Sequence, residues 1–465
     1  MEKTENPIFW TEENGKVKIS QSKLISFLEE RGFCKIKPSE TTDLLVEVQN
    51  NVISKTNIQK MTLEIKHYLL LKKKWEVLEI FSKGVGNYLN NSKLNLLNVV
   101  KVKSDRDDYE VARFFFKDNF YEVTNGGVAQ KKYKDLDFPV WNTKIIDRKV
   151  NFLNQKNQVG QFEKFCHLLS KEDDDRFKSL KTIIGYLLHA NRERGEDKAV
   201  ILYDENMSLN NKANGGTGKT LLCKALSYCR EVVEFDGKEI KQGSWFKNQR
   251  IELSSDILFY DDLEKGTSLE KFFTSVTSGI EVEKKRQQSF MIPYEAMPKI
   301  VFTSNYYVNG PGGSSDSRRR LEFEVANLFN EKYTPEDYFG NRFFGRRWTS
   351  EEWCCFFSFM MNCVKDYLDQ GLIMPEPINL NNSKTKTGTC SNFVEFADGW
   401  FETNTWIDKK EMEAEYSDLF DEEVTPHTFK KWIDKYVDSN DLKMETKSSN
   451  SKNHFILRTE IEARK

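Results

Sequence analysis

The stretch NGGTGKT, Asn214 to Thr220, decides how the rest of this sequence is read. A glycine-rich run closing on Gly-Lys-Thr is the pattern of a phosphate-binding loop when it follows a strand and opens a helix. The flanks have that form. Ala199 to Leu202 is a short apolar run with strand character, and Leu221-Leu222-Cys223-Lys224-Ala225-Leu226 reads as the first turns of a helix. Glycines let backbone N–H groups close on phosphate oxygens, and a helix N-terminus adds its positive dipole end. Asn214, Gly215, Gly216, Thr217, Gly218, Lys219 and Thr220 are therefore the expected ATP-binding residues. Lys219 would reach the β- and γ-phosphates, and Thr220 would hold Mg²⁺. Ala213 stands where the pattern has its first glycine, and the approach from Asp204 to Lys212 is long.

Downstream, short apolar runs alternate with polar loops: Val232-Val233, Ile257 to Tyr260 and Ile300 to Phe302. Runs that are apolar nearly throughout suit strands buried on both faces of a parallel sheet, so the fold class is α/β. The run Ile257 to Tyr260 ends in Asp261-Asp262. Paired carboxylates at a strand end beside a phosphate loop suit a metal and an attacking water. Asp261 is the expected Mg²⁺ ligand and Asp262 the group that polarises water, with Glu264 a second candidate base. The run Lys299 to Asn305, KIVFTSN, places an amide at a strand tip, where Asn305 could sense the γ-phosphate.

Arg318, Arg319 and Arg320 follow in a row. An arginine can stabilise transition-state charge across a subunit boundary, and Arg319 and Arg320 are the preferred candidates, with Arg318 third; a solvated basic run or a nucleic-acid contact is the plain alternative. Between the acidic pair and Asn305, Ile280 to Val282 and Phe290 to Ile292 alternate around Lys284-Lys285-Arg286. This reads as a β-hairpin with a basic tip that could grip a phosphate backbone, or as an ordinary surface hairpin.

Phosphate loop, acidic strand end, basic hairpin, then a strand ending in Ser-Asn: that order resembles the superfamily 3 helicases, AAA+ ATPases of viruses, phages and mobile elements. The run Leu180 to Glu205 is similar to the helical segment before the ATPase in phage and poxvirus-type primase-helicases. The resemblance covers roughly residues 160 to 375. It implies a homo-hexameric ring and single-stranded DNA as partner, gripped by Lys284, Lys285 and Arg286. It implies ATP and Mg²⁺ as cofactors, with Lys219, Thr220, Asp261, Asp262 and Asn305 in the site and Arg319 or Arg320 completing a neighbour's. It also implies a helical collar over 156–198 in front of an AAA+ core over 199–375.

The ends are read from the residues. Residues 1–155 are a mixed α+β unit, with helices over Ser22–Arg31 and Thr62–Phe81 and a hairpin turning at Asn125-Gly126-Gly127. The five histidines include no His-x-His pair, which speaks against metal-dependent nicking, and the loop-like context of Asp105-x-Asp107 speaks against priming. Residues 376–391 are polar and read as a linker. The segment 392–465 reads as three helices and two strands, a winged-helix pattern, the third helix starting at Thr425-Pro426 and carrying Lys430, Lys431 and Lys435 for DNA. A packing or subunit-contact role is the alternative.

The bulk numbers fit. A chain of 465 residues is long enough for several domains, and 31% charged against 38% hydrophobic residues suits a soluble protein. A net charge of −2 leaves any nucleic-acid contact to local basic clusters. Eight scattered cysteines without a Cys-x-x-Cys pair suit reduced thiols in a cytoplasmic compartment. No apolar run is long enough to span a membrane, and the first residues lack a signal-peptide layout. Two other functions share the motifs: an AAA+ ATPase that remodels protein or acts in defence, whose hydrolysis would ignore DNA, and a non-enzymatic DNA-binding scaffold.

Overall fold

A computed structural model of the chain describes all residues except 1–7, 14, 40–41, 101–105, 151–157, 208–215, 240–247, 273–278, 286–288, 311–312, 382–383, 386–388, 390, 402, 421–422, 441, 450–451 and 460–465. Asn214, Gly215 and Arg286 are thus outside the described residues.

The N-terminal region begins with the antiparallel pair β1 (Trp10–Glu13) and β2 (Lys16–Ile19), followed by α1 (Gln21–Glu30). β3 (Phe33–Ser39), β4 (Thr42–Gln49) and β5 (Val52–Lys55) form an antiparallel sheet. The single helix expected over Thr62–Phe81 is two, α2 (Ile58–Leu71) and α3 (Trp75–Lys83). Lys73 sits at φ 54° in the break. The turn lets Met61, Ile65 and Leu69 of one helix and Val77 and Phe81 of the other face the same core, with Phe9, Phe27 and Phe33. Two short helices, α4 (Val85–Tyr88) and α5 (Asn91–Leu94), close that core. A meander follows: β6 (Ala112–Phe115), β7 (Phe120–Thr124) and β8 (Gly127–Lys131). Thr124 pairs with Gly127, so Asn125-Gly126 forms the two-residue turn its sequence predicts. β9 (Val140–Trp141) returns to pair parallel with β5.

The central sheet has five parallel strands: β10 (Ala199–Asp204), β11 (Val232–Asp236), β12 (Ile257–Asp261), β15 (Lys299–Ser304) and β16 (Arg320–Val325), in the spatial order β11-β12-β15-β10-β16. The antiparallel pair β13 (Ile280–Val282) and β14 (Phe290–Ile292) is the expected hairpin. One sheet face is covered by α6 (Gln161–Leu169), α7 (Asp174–Leu188), α8 (Lys219–Leu226) and α11 (Ser350–Gln370). The segment expected to stand before the core as a collar therefore supplies part of the core itself: Phe162, Phe165, Ile183 and Leu187 pack with Val200, Phe259 and Phe356. α7 and α11 approach closely at Gly185, where a Cβ would lie 2.1 Å from the Cys363 carbonyl oxygen. The chain from 189 to 198 carries no helix. The other face packs Ile201, Tyr203, Leu258 and Phe302 against Ile280, Val282 and Ile292 of the hairpin. Two short helices, α9 (Gly313–Arg319) and α10 (Pro335–Phe339), flank β16.

β16 had no counterpart in the sequence reading. Its Arg320-Leu321-Glu322-Phe323-Glu324-Val325 alternates charge and apolar side chains, yet Glu324 is buried and Glu322 half-buried, both held by partners from elsewhere. Lys384 pairs with Glu322 at 3.1 Å, and the backbone N–H groups of Ile378 and Asn379 donate to Glu324 at 2.6 and 2.9 Å. With Leu380 buried in the same face, the described part of 376–391 lies along the core and does not hang free.

The C-terminal unit contains α12 (Ser391–Trp400), β17 (Ile407–Asp408), α13 (Lys409–Phe420), α14 (Pro426–Ser439), β18 (Leu442–Ser449) and β19 (Lys452–Thr459). Thr425 caps α14 by accepting from the Thr428 N–H, and Pro426 takes the first helical position, where a missing N–H costs nothing. Among the described residues no helix is long and apolar enough to cross a membrane. The seven described cysteines are buried, and Cys390 is outside the described residues.

Candidate functional site

Five strands running one way gather their carboxyl ends along one edge, and loops leaving that edge define a crevice. β15 lies between β10 and β12. The chain leaving β10 forms the phosphate loop, the chain leaving β12 brings the acidic pair, and the chain leaving β15 brings Asn305. A cavity of about 450 Å³ lies where they meet, lined by Gly216 to Leu221, Asp261, Asp262, Thr303 and Asn305, with Thr334 and Pro335 opposite.

Gly216 and Gly218 have φ of 90° and 105°, a region open to glycine and costly for other residues. Gly218 is also the N-cap of α8, and a Cβ there would meet the Phe165 ring at 2.9 Å. The α8 N-terminus thus opens on the cavity with its first N–H groups unpaired by the helix, the arrangement that attracts anions.

Lys219 is buried, and its Nζ pairs with the Asp204 carboxylate. It also lies 3.1 Å from Asn305 Oδ1 and 3.2 Å from Thr217 Oγ1. The Thr217 hydroxyl donates to the same Asp204 oxygen at 2.5 Å. Asp204 is 3% exposed, and a carboxylate taken out of water needs such partners. Sequence reading missed it, because an acid closing an apolar strand beside Glu205 looks like a solvated turn.

Thr220 donates to Asp261 Oδ1 at 2.8 Å, and Thr303 donates to the same oxygen at 2.6 Å. Thr303 in turn accepts from the Asp262 backbone N–H at 2.8 Å. Asp262 turns the chain at φ 56°, a left-handed conformation that Asp tolerates better than most residues. Its Oδ1 accepts from Asn305 Nδ2 at 2.9 Å. Lys238 pairs with its other oxygen, and that contact raises the lysine's affinity for its proton. The Asn305 amide therefore joins Lys219 on one side to Asp262 on the other. Glu264 is exposed and does not line the cavity.

The arginines lie elsewhere. Arg320 pairs in register with Ala199, the first residue of β10, whereas the phosphate loop leaves from its last, Asp204. Five strand steps put them roughly 16 Å apart along the strand. Arg320 is buried, bound to Asp316 at 3.1 Å, Glu322 at 3.0 Å and the Val308 carbonyl oxygen at 2.6 Å. Burial works against its charge, but Glu322 and the tyrosines beside it outweigh that and hold it firmly protonated. These partners engage its guanidinium at the start of β16. Arg319 is half-buried and Arg318 exposed, both on α9 at that same far edge.

The basic residues separate too. Lys285 is exposed at the hairpin tip, whereas Lys284 is half-buried and pairs with Glu252. In the C-terminal unit Lys430 and Lys431 are exposed, and Lys430 borders a cleft of about 310 Å³ with Lys409 and Lys447. Lys435 is half-buried on another side of α14, and burial lowers its affinity for a proton.

No family model matches the chain, and no curated protein matches it. Among solved structures, two A-form apo structures of the NrS-1 C-terminal region are similar at 11% identity, with TM-scores of 0.43 and 0.44; they cover 93% and 94% of this chain and 98% of each matched chain. JCV helicase bound to an acetamide compound is similar at 14% identity and a TM-score of 0.25, over 48% of this chain and 58% of that one.

Proposed function

We propose that this chain is an ATP-dependent DNA translocase, a replicative helicase of the superfamily 3 type that works as a homo-hexameric ring on single-stranded DNA. The observation that supports it most is the single hydrogen-bonded chain Asp204–Lys219–Asn305–Asp262 across one sheet edge. It ties the phosphate-binding group to the group that would activate water.

In this reading the α8 N-terminus and Lys219 bind the triphosphate. Thr220 and Asp261 supply a hydroxyl and a carboxylate, hard oxygen donors that suit Mg²⁺. Among the described residues no three His, Cys, Asp or Glu side chains gather into a metal cage, which agrees with a metal shared between protein and substrate phosphates. Mg²⁺ would neutralise phosphate charge. Asp262 orients and polarises water, and Asn305 registers the γ-phosphate and keeps Asp262 aimed. Separating a base pair costs about 1.4 kcal/mol per step. The exposed Lys285, with Arg286 beside it in sequence, would contact the strand, and Lys430 and Lys431 would contact DNA from a winged-helix C-terminal unit. Arg319 is the remaining candidate for completing a neighbour's site.

The Lys284–Glu252 pair favours a second reading, in which hydrolysis remodels a protein and ignores DNA, because it occupies one of the three tip cations. Replacing Lys284, Lys285 and Arg286 together by Ala separates the two. The translocase loses its stimulation by single-stranded DNA and keeps basal hydrolysis. Stimulation that survives the triple substitution rules the hairpin out as the DNA contact.

A further inference from the structure

A second cavity, of about 320 Å³, lies at the opposite edge of the sheet from the phosphate site. Lys299, the first residue of β15, lines it. Lys299 is 3% exposed. Its Nζ lies 3.6 Å from the centre of the Tyr186 ring and 5.9 Å from that of Tyr367, and no described residue accepts a hydrogen bond from it. The nearby acids are engaged: Asp197 accepts from Arg192 at 2.8 Å and from the Tyr294 hydroxyl, and Asp107 accepts from the Ala190 N–H at 2.8 Å. A buried lysine head group whose contacts are ring faces, at the wall of a cavity, suits a ligand or a chemical task.

Burial draws the Lys299 ammonium down to about 7, against the pull of Asp197, so at neutral pH much of it is free amine. The same burial keeps His189 beside it uncharged. A desolvated lysine with its lone pair free is a nucleophile toward carbonyl carbon. The mouth is acidic and exposed, with Glu110, Glu193, Glu196 and Asp369. That rim repels nucleotides and other anions, and the tyrosine faces favour a cation.

We propose that this cavity is a covalent capture site in which the Lys299 amine adds to a small aldehyde that carries no negative charge. The nitrogen lone pair attacks the carbonyl carbon and a C–N bond forms. One N–H proton passes to the carbonyl oxygen to give the carbinolamine. The hydroxyl then leaves with the second N–H proton as water, and a C=N bond remains. The step needs no oxidant or reductant. The charged and titratable groups around the amine are Tyr186 and His189 from α7 and its exit, Arg192 and Asp197 from the following loop, Arg106 and Asp107 from the segment before β6, and Tyr367 from α11.

The test treats the full chain with propionaldehyde, betaine aldehyde or glyoxylate, traps imines with cyanoborohydride, and maps modified lysines by peptide mass spectrometry. Exposed Lys431 is the internal reference. At pH 7 Lys299 is expected to react at least about tenfold faster than Lys431, because an ordinary lysine is almost wholly protonated there. The cationic and neutral aldehydes outrun the anionic one, and Glu193→Gln with Glu196→Gln narrows that preference. Both rates fall at pH 5 with the advantage kept, because both amines lose free base in proportion there, and the advantage closes above about pH 10, where Lys431 is free amine too. An unmodified Lys299, or one no faster than Lys431, overturns the proposal; equal reaction with glyoxylate overturns its charge selection.

Discussion

Lys219 and Asp204 form a buried ion pair, and each is needed to keep the other in place. Lys219→Met strands a carboxylate that is 3% exposed, and Asp204→Asn strands an ammonium on a lysine that is 6% exposed. Removing one partner of a buried pair typically costs about 3–5 kcal/mol. The Thr217 hydroxyl still donates to Asp204 at 2.5 Å, so the lysine variant belongs near the low end, about 3 kcal/mol. For a unit of this size that lowers the melting temperature by roughly 6–12 °C. The double variant removes both charges and leaves amide, hydroxyl and thioether in their place. Its loss is expected to fall short of the sum of the single losses by about 2 kcal/mol or more. Denaturant unfolding of the wild type, both single variants and the double gives the cycle directly. Losses that add to within about 0.5 kcal/mol would refute the buried pair.

Gly185→Ala places a methyl 2.1 Å from the Cys363 carbonyl oxygen and 2.7 Å from Tyr367 Cβ, so α7 and α11 must part; a loss of about 3 kcal/mol in denaturant unfolding is expected. Asn305→Ala breaks the link between Lys219 and Asp262, and ATP turnover should fall by about 10²-fold while nucleotide affinity, read by titration, changes by less than about threefold. Lys299 loses its proton near pH 7 when folded, against 10.5 as an ordinary lysine, so the unfolded chain holds more protons between those values and stability rises with pH across that window. Lys299→Met should flatten that rise and gain a few kcal/mol at pH 7 and below, read by unfolding at pH 6, 8 and 10.

β10, β12 and β15 were legible because a strand buried on both faces is apolar nearly throughout, as in Ile257 to Tyr260 and Ile300 to Phe302, and the edge strand β11 showed only in Val232-Val233. β16 was not legible, since its acids are satisfied by Lys384 and the N–H groups of Ile378 and Asn379, more than fifty residues away. The break at Lys72 to Lys74 has no glycine or proline to mark it; a shared core imposes it. In the site, glycine dihedrals and strand-end acids are local demands, and NGGTGKT, Asp261-Asp262 and Asn305 carry them in the open. Asp204 answers a tertiary demand, the burial of Lys219, and nothing beside it in sequence announces that. Arg320 is a related case: three arginines in a row read alike in sequence, while the fold buries this one beside Asp316 and Glu322.

The most direct test of the central claim is steady-state ATP hydrolysis with Mg²⁺, with and without single-stranded DNA, for the wild type and the Asp204→Asn/Lys219→Met double variant, after confirming that both are folded. Hydrolysis by the wild type should be stimulated several-fold by DNA, and turnover in the double variant should be lower by at least about 10²-fold under both conditions. Equal hydrolysis by the two proteins would contradict the claim, and so would a wild type that binds ATP and never turns it over.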